Sequence, residues 1–183
     1  MKKTFFVVIL SFSLQAMSAV TVMMETSMGN IAIELDEVKA PITVANFLTY
    51  VDLNFFDGTL FHRTIKNFVI QGGGLLPDMT EKPTFDPIKN EALNGLSNLR
   101  GTIGMARETE IDSATSQFFI NTVDNVRLDH QPQNPQRYGY AVFGKVTAGM
   151  EVVDLIQNVA THTLGDYENT PVEQIVIYSI RRM

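Results

Sequence analysis

The residues of this chain with the clearest chemical potential sit in LFHRTIKNFVIQGGG, Leu60 to Gly74, where Arg63 and Gln71 interrupt a run of aromatic and aliphatic side chains. The run has no nucleophile, no acid–base pair and no set of metal ligands. A guanidinium and an amide offer hydrogen bonds in fixed directions instead. A second apolar run, SQFFIN, carries Gln117 next to Phe118 and Phe119. Taken alone, that glutamine reads equally well as the outward-facing residue of a strand.

Other chemistries find no support in the residue pattern. The three histidines, His62, His130 and His162, lack metal-ligand spacing and read as structural or surface residues. Gly72-Gly73-Gly74 is followed by Leu75-Leu76-Pro77, without the lysine and Ser/Thr of a phosphate-binding loop, so these glycines read as a turn or a close backbone approach. Ser113 and Ser116 in IDSATSQFF have neither an elbow nor a base. Glu108, Glu110 and Asp112 read as a solvated acidic loop rather than a glycosidase pair. The chain has no cysteine, which removes thiol catalysis, disulfides and cysteine-rich zinc sites. Neither a metal nor a cofactor is expected.

The elements that must position Arg63 and Gln71 follow from length and periodicity. At 183 residues the chain suits one domain plus a processed segment. Lys2 and Lys3 precede an apolar run, Phe5 to Leu14, and then Ala16, Ser18 and Ala19. That is the pattern of a secretory signal peptide, since the run is too short to span a bilayer. Cleavage after Ser18 or Ala19 makes residues 1–19 the signal and residues 20–183 the mature domain; a buried N-terminal strand is the alternative reading. Export to the periplasm is expected, with secretion beyond it as the variant. Removing Lys2 and Lys3 from the 14 basic residues leaves 12 against 20 acidic ones, a net charge of −8. Such a charge argues against a nucleic-acid partner. No later segment reaches the length of a membrane span, so no membrane partner is expected after signal removal.

Val20 to Thr26 and Asn30 to Leu35 read as a hairpin around Gly29. Pro41 to Leu53 and Met150 to Asn158 have helical spacing of apolar residues. Short strands fit Leu60 to Thr64, Phe68 to Gln71, Gly101 to Ala106, Gln117 to Asn121, Ala141 to Val146 and Gln174 to Ile180. Many strands with two helices and no strand–helix alternation predict a mainly β domain, an antiparallel barrel or sandwich. The long polar segments Leu75 to Asn98 and Asp124 to Gly139 read as functional loops.

From about Val22 to Ile180 the sequence resembles the cyclophilin family of peptidyl-prolyl cis-trans isomerases. FHRTIKNFVIQGG (Phe61 to Gly73) is similar to the family signature. GTIGMAR (Gly101 to Arg107), SATSQFFI (Ser113 to Ile120), YAVFGKV (Tyr140 to Val146) and GMEVVD (Gly149 to Asp154) follow in the same order. The wording is most similar to the bacterial periplasmic branch. The resemblance implies a closed eight-stranded antiparallel β-barrel capped by two α-helices, with the active face outside. It carries Arg63 and Gln71 over as catalytic residues. As substrate-binding residues it carries over Phe68, Val69, Ala106, Arg107, Gln117, Phe119, Leu128 and Tyr140. Tyr140 stands where many members have histidine, and Val69 where many have methionine. Arg107 replaces a common asparagine at a position used largely through its backbone. Arg127 replaces a tryptophan or phenylalanine, and an arginine stem covers apolar surface without forming the same rim.

The resemblance therefore implies a metal-independent, non-covalent isomerase acting on X-Pro bonds of unfolded or flexible exported polypeptides, working as a monomer. A proline-binding chaperone or adhesion module with weak turnover is the alternative, prompted by Arg127 and the acidic loop. A lectin-like or lipocalin-like carrier barrel would leave the ordered polar residues without a role. One geometric demand follows. An unbroken strand cannot aim Arg63, Phe68 and Gln71 the same way, so the chain must break, most naturally at Lys66-Asn67.

Overall fold

In the computed structural model, which describes residues 20–131 and 137–183, ten strands and two α-helices follow one another along the chain. The signal-peptide reading and part of the Asp124 to Gly139 loop lie outside the described residues. Eight strands close a barrel in the order β1 (Thr21–Thr26), β10 (Val176–Arg182), β3 (Thr59–Ile65), β4 (Val69–Gly72), β6 (Phe118–Asn121), β5 (Thr102–Met105), β7 (Val142–Ala148) and β2 (Gly29–Leu35). Each barrel pairing is antiparallel. Closure leaves no unpaired edge on the main sheet.

Alternation decides which residues fill the barrel. Val22 and Met24 of β1 and Ile31 and Ile33 of β2 are fully buried, as are Ile70, Phe118 and Ile120 of β4 and β6. Their neighbours Gln71 and Phe119 face outward, and it is this outer face that carries the candidate site. An aromatic cluster packs the centre: the Phe47 ring lies 5.2 Å from Phe56 and 5.2 Å from Phe143, and meets Phe118 edge-on at 5.8 Å.

The helices close opposite ends. Helix α1 (Pro41–Asp52) follows the Leu35 end of β2 and buries Val44, Phe47, Leu48 and Val51. Pro41 sits in its first turn, where a missing N–H costs nothing. Its N-cap, Ala40, offers no side-chain bond, so the cap comes from afar. Glu91 accepts from the amides of Ile42 (3.1 Å) and Thr43 (2.8 Å) and from the Thr43 hydroxyl (2.7 Å). Helix α2 (Met150–Gln157) packs Val152 against Gly29 at the other end of β2, where an added Cβ would lie 2.8 Å from the valine.

The sequence pattern does not point to a ribbon formed by β8 (Thr161–Leu164) and β9 (Tyr167–Pro171), which stands outside the barrel with β9 against β3. All four residues of β8 are exposed, so there is no apolar alternation to read. The available signal is Gly165-Asp166, a two-residue turn with Gly165 at φ 58°.

Candidate active site

The break between Arg63 and Gln71 falls where alternation requires it. Strand β3 ends at Ile65, β4 begins at Val69, and Asn67 takes φ 57° in the turn between them. Helix α2 holds that turn, since Gln157 Oε1 accepts from the Asn67 amide at 3.1 Å. A second device is invisible to periodicity. The β3–β4 register shifts between Phe61, which faces Gly72, and Arg63, which faces Gln71. This bulge at His62 lets Phe61 enter the core while Arg63, two residues on, turns outward.

The bulge leaves His62 only 5% exposed, with Nδ1 lacking any hydrogen-bond partner. Burial lowers its pKa to about 4, so the imidazole is neutral at neutral pH.

Cross-strand pairing sets Arg63 beside Gln71, Gln71 beside Phe119, and Phe119 beside Gly104. Arg63 Nη1 donates to Gln71 Oε1 at 3.1 Å, and Gln71 Nε2 donates to Gln117 Oε1 at 3.0 Å. Gln117 Nε2 then donates to Glu81 Oε1 at 3.2 Å. Donor-only arginine at one end and acceptor-only carboxylate at the other impose one polarity on both amides. Two glycines make room for this row. A Cβ on Gly74 would lie 2.6 Å from the Gln117 side chain, and one on Gly104 would lie 2.5 Å from the Phe119 ring.

The apolar half of the site is built on Phe119. Tyr140 meets its ring edge-on at 5.7 Å, and the Tyr140 amide donates to the Leu128 carbonyl at 3.0 Å, which ties Leu128 to the same wall. Val69 is buried on the outer face, two residues along β4 from Gln71. Phe68 stands half-buried at the hairpin end, its carbonyl held by the Thr122 amide (3.0 Å) and Asn125 Nδ2 (2.8 Å). A buried polar network beneath anchors the loop that carries Leu128. Asn121 Nδ2 reaches Asn98 Oδ1 at 3.2 Å, and the Asn98 amide donates to Asp129 Oδ1 at 2.7 Å.

The geometry adds detail at three positions. The Ala106 amide is engaged with the Gln117 carbonyl at 2.9 Å, so the Ala106 carbonyl and the Arg107 amide remain for a bound peptide. Neither has a partner among the described residues. Arg107 acts through its side chain as well as its backbone: the guanidinium lies 4.8 Å from the Tyr140 ring centroid, and Nε donates to the Gly139 carbonyl at 3.1 Å. Arg127 does cover aromatic surface, with its guanidinium 4.5 Å from the Phe68 ring centroid. Glu81 and the β8–β9 ribbon are the parts of the site that sequence reasoning missed, because the contacts that define them span dozens of residues.

The geometry is a fixed guanidinium donor beside an apolar wall, an arrangement suited to hydrogen bonding a twisting amide rather than cleaving one. Known proteins with this sequence and fold agree. A family model described as cyclophilin type peptidyl-prolyl cis-trans isomerase matches residues 21–182. The chain belongs to the cyclophilin-type peptidyl-prolyl cis-trans isomerases. It is 54% identical over 166 residues to peptidyl-prolyl cis-trans isomerase A of Dickeya dadantii, covering 91% of this chain and 86% of the relative. It is 50% identical over 155 residues to peptidyl-prolyl cis-trans isomerase B of Escherichia coli, covering 85% and 94%. Among solved structures, a Cryptosporidium parvum cyclophilin type isomerase, crystallised in the presence of the dipeptide Ala-Pro, superposes with a TM-score of 0.75 at 27% identity. That match covers 89% of this chain and 98% of the other. This cyclophilin is therefore a peptidyl-prolyl cis-trans isomerase, built on the eight-stranded barrel that the sequence resemblance implied.

Proposed function

We propose that this cyclophilin isomerises X-Pro bonds in flexible or unfolded polypeptides exported from the cell, assisting their folding in the periplasm as a monomer. The observation that carries the site assignment is the row Arg63–Gln71–Gln117 beside the wall of Phe119 and Tyr140. Export is supported by Lys2-Lys3, the apolar run behind them and the small residues at Ala16 to Ala19.

Rotation about an X-Pro bond faces a barrier of roughly 18–20 kcal/mol because resonance gives the C–N bond double-bond character. No bond breaks. At the twisted state the prolyl nitrogen becomes pyramidal and its lone pair localises. Arg63 donates to that lone pair more strongly than to the planar amide, which is transition-state stabilisation. Gln71 holds one guanidinium nitrogen and so fixes the direction of the others. Phe119, Phe68, Val69, Leu128 and Tyr140 hold the proline ring while the preceding residue turns. The Ala106 carbonyl, the Arg107 amide and Gln117 pair with the extended backbone.

Cells producing the full chain should carry proline-peptide isomerase activity in the periplasmic fraction. In the purified mature chain, Arg63→Ala should lower kcat/KM by about 10²–10³, the cost of losing one charged donor aimed at the reacting atom. The circular dichroism spectrum should not change. A variant as active as the parent would remove Arg63 from the chemistry.

A further inference from the structure

The arginines of this chain fall into two groups. Arg100, Arg181 and Arg182 each set two guanidinium nitrogens on one carboxylate, those of Asp154, Asp57 and Asp52. Arg63 is held by Gln71 in the catalytic row. The remaining three, Arg107, Arg127 and Arg137, line a single cavity of about 190 Å³. None of these three joins an ion pair among the described residues. In a chain where acidic residues outnumber basic ones by 20 to 14, positive charge thus converges on one small recess.

Asp129 is the one carboxylate in the lining, and it is already engaged. Its Oδ1 accepts from the Asn98 amide at 2.7 Å and from Asn98 Nδ2 at 2.9 Å, and its Oδ2 accepts from the Ser97 hydroxyl. The sequence between Asp129 and Arg137, HQPQNPQ, has no acidic residue to add. Arg107 is fixed from one side, because Nε donates to the Gly139 carbonyl and Nη1 to the Glu108 carbonyl at 2.9 Å. Its Nη2 has no partner among the described residues, and the Arg127 guanidinium, resting on the Phe68 ring, donates to none of them. A guanidinium fork matches a carboxylate with two parallel hydrogen bonds, as the other three arginines show.

We propose that this recess is a subsite for an acidic side chain of the substrate, so that a favoured client carries glutamate or aspartate close to the proline. The carboxylate meets Arg107 Nη2, and Arg127 and Arg137 add their charge around it. Leu128 and Tyr140 line the recess and also wall the proline socket, so the two are contiguous. Each extended residue spans about 3.3–3.6 Å, which places the acidic side chain on a residue within about two positions of the proline. An acidic protein repels an acidic client over most of its surface. The recess gives such a client one place where its charge is met, and charge thereby selects how the peptide lies in the groove.

This subsite rests on the proline docking against Leu128 and Tyr140, and the test separates the two. Proline peptides identical except for glutamate, glutamine or lysine at one flanking residue are compared by kcat/KM, scanning the two positions on each side of the proline. At low salt, one position should favour glutamate over glutamine by about fivefold, the scale of an exposed ion pair, with lysine the poorest of the three. High salt should shrink the ratio as screening sets in. The triple variant Arg107→Gln, Arg127→Gln, Arg137→Gln should bring it close to one; a ratio taken within one variant cancels any loosening of the Phe68 ring. Normal turnover of the glutamine peptide with no glutamate preference at any position would overturn the subsite and leave the isomerase site standing. A preference that survives the triple variant would overturn it as well, and so would an equal loss in Arg181→Gln with Arg182→Gln, which lowers the net charge elsewhere. Should Tyr140→Ala leave kcat/KM of every peptide unchanged, the socket assignment would fall, and the subsite with it.

Discussion

Phe118 and Phe119 are consecutive, identical in chemistry, and sit on opposite faces of β6. Phe118 is fully buried and meets Phe47, Phe56 and Phe61 edge-on at 5.8, 5.6 and 6.0 Å. Phe119, 4% exposed, has Tyr140 as its aromatic contact and lies over the gap that Gly104 leaves. One ring fills the barrel and the other walls the groove. The difference explains why this barrel is no carrier: side chains occupy its interior to the centre, and its chemistry had to move to the outer face of β3, β4 and β6. Stability and catalysis are thus separated by the pleat of a single strand.

The sharpest way to break that separation is to truncate each ring. Phe118→Ala should cost about 3–5 kcal/mol, the range for emptying a large aromatic site in a packed core. Turnover per folded molecule should survive. Phe119→Ala should cost about half as much stability, and should lower kcat/KM by about 10–100-fold, the equivalent of the 1.5–3 kcal/mol that burying a large apolar group provides. Urea unfolding and a proline-peptide assay measure both quantities. If Phe119→Ala merely lost activity in proportion to its unfolded fraction, the two faces would not be separate.

The same alternation determines what could be read in advance. Strands β1, β2 and β10 and both helices were legible because their apolar residues recur with the period of their own element. The Arg63–Gln71 row was legible only as far as its demand for a break near Lys66-Asn67. The bulge at His62 was not, because a register shift is a property of two strands, and no residue in FHR announces it. Glu81 reaches Gln117 across 36 positions, from a segment without regular structure, so local pattern holds no trace of it. The β8–β9 ribbon was missed because exposed strands have no apolar face to count.

His62 belongs to neither face, and its titration sharpens the comparison. Its folded pKa, about 4, lies below the value near 6.5 of an unfolded histidine. The neutral form is favoured by folding, so the contribution is fully present above pH ~6.5 and is lost as pH falls towards the folded value. The unfolded chain gains a proton over this window and the folded chain does not. Acidification should therefore remove up to about 3 kcal/mol through this group alone. Urea unfolding at stepped pH should show the decline beginning above the range where carboxylates titrate. His62→Asn should flatten that upper part; an identical profile in the variant would assign the decline to other groups.

The smallest effect is expected where an arginine replaces an aromatic rim. Arg127 lies on the exposed surface over Phe68, and an exposed cation–π contact contributes about 0.5–1 kcal/mol. The Phe68 backbone is tied down independently by Thr122 and Asn125, so removing the guanidinium frees the ring without moving the chain. Arg127→Ala should then raise KM by about two- to fivefold, the equivalent of that contact, with kcat and unfolding free energy nearly unchanged. A fall in kcat at constant KM would give Arg127 a role at the twisted state, and the groove would need a second cation beside Arg63. A rise in KM alone leaves Arg63 as the single charge acting on the reacting bond, and makes Arg127 what its geometry suggests, a charged cover for an apolar ring.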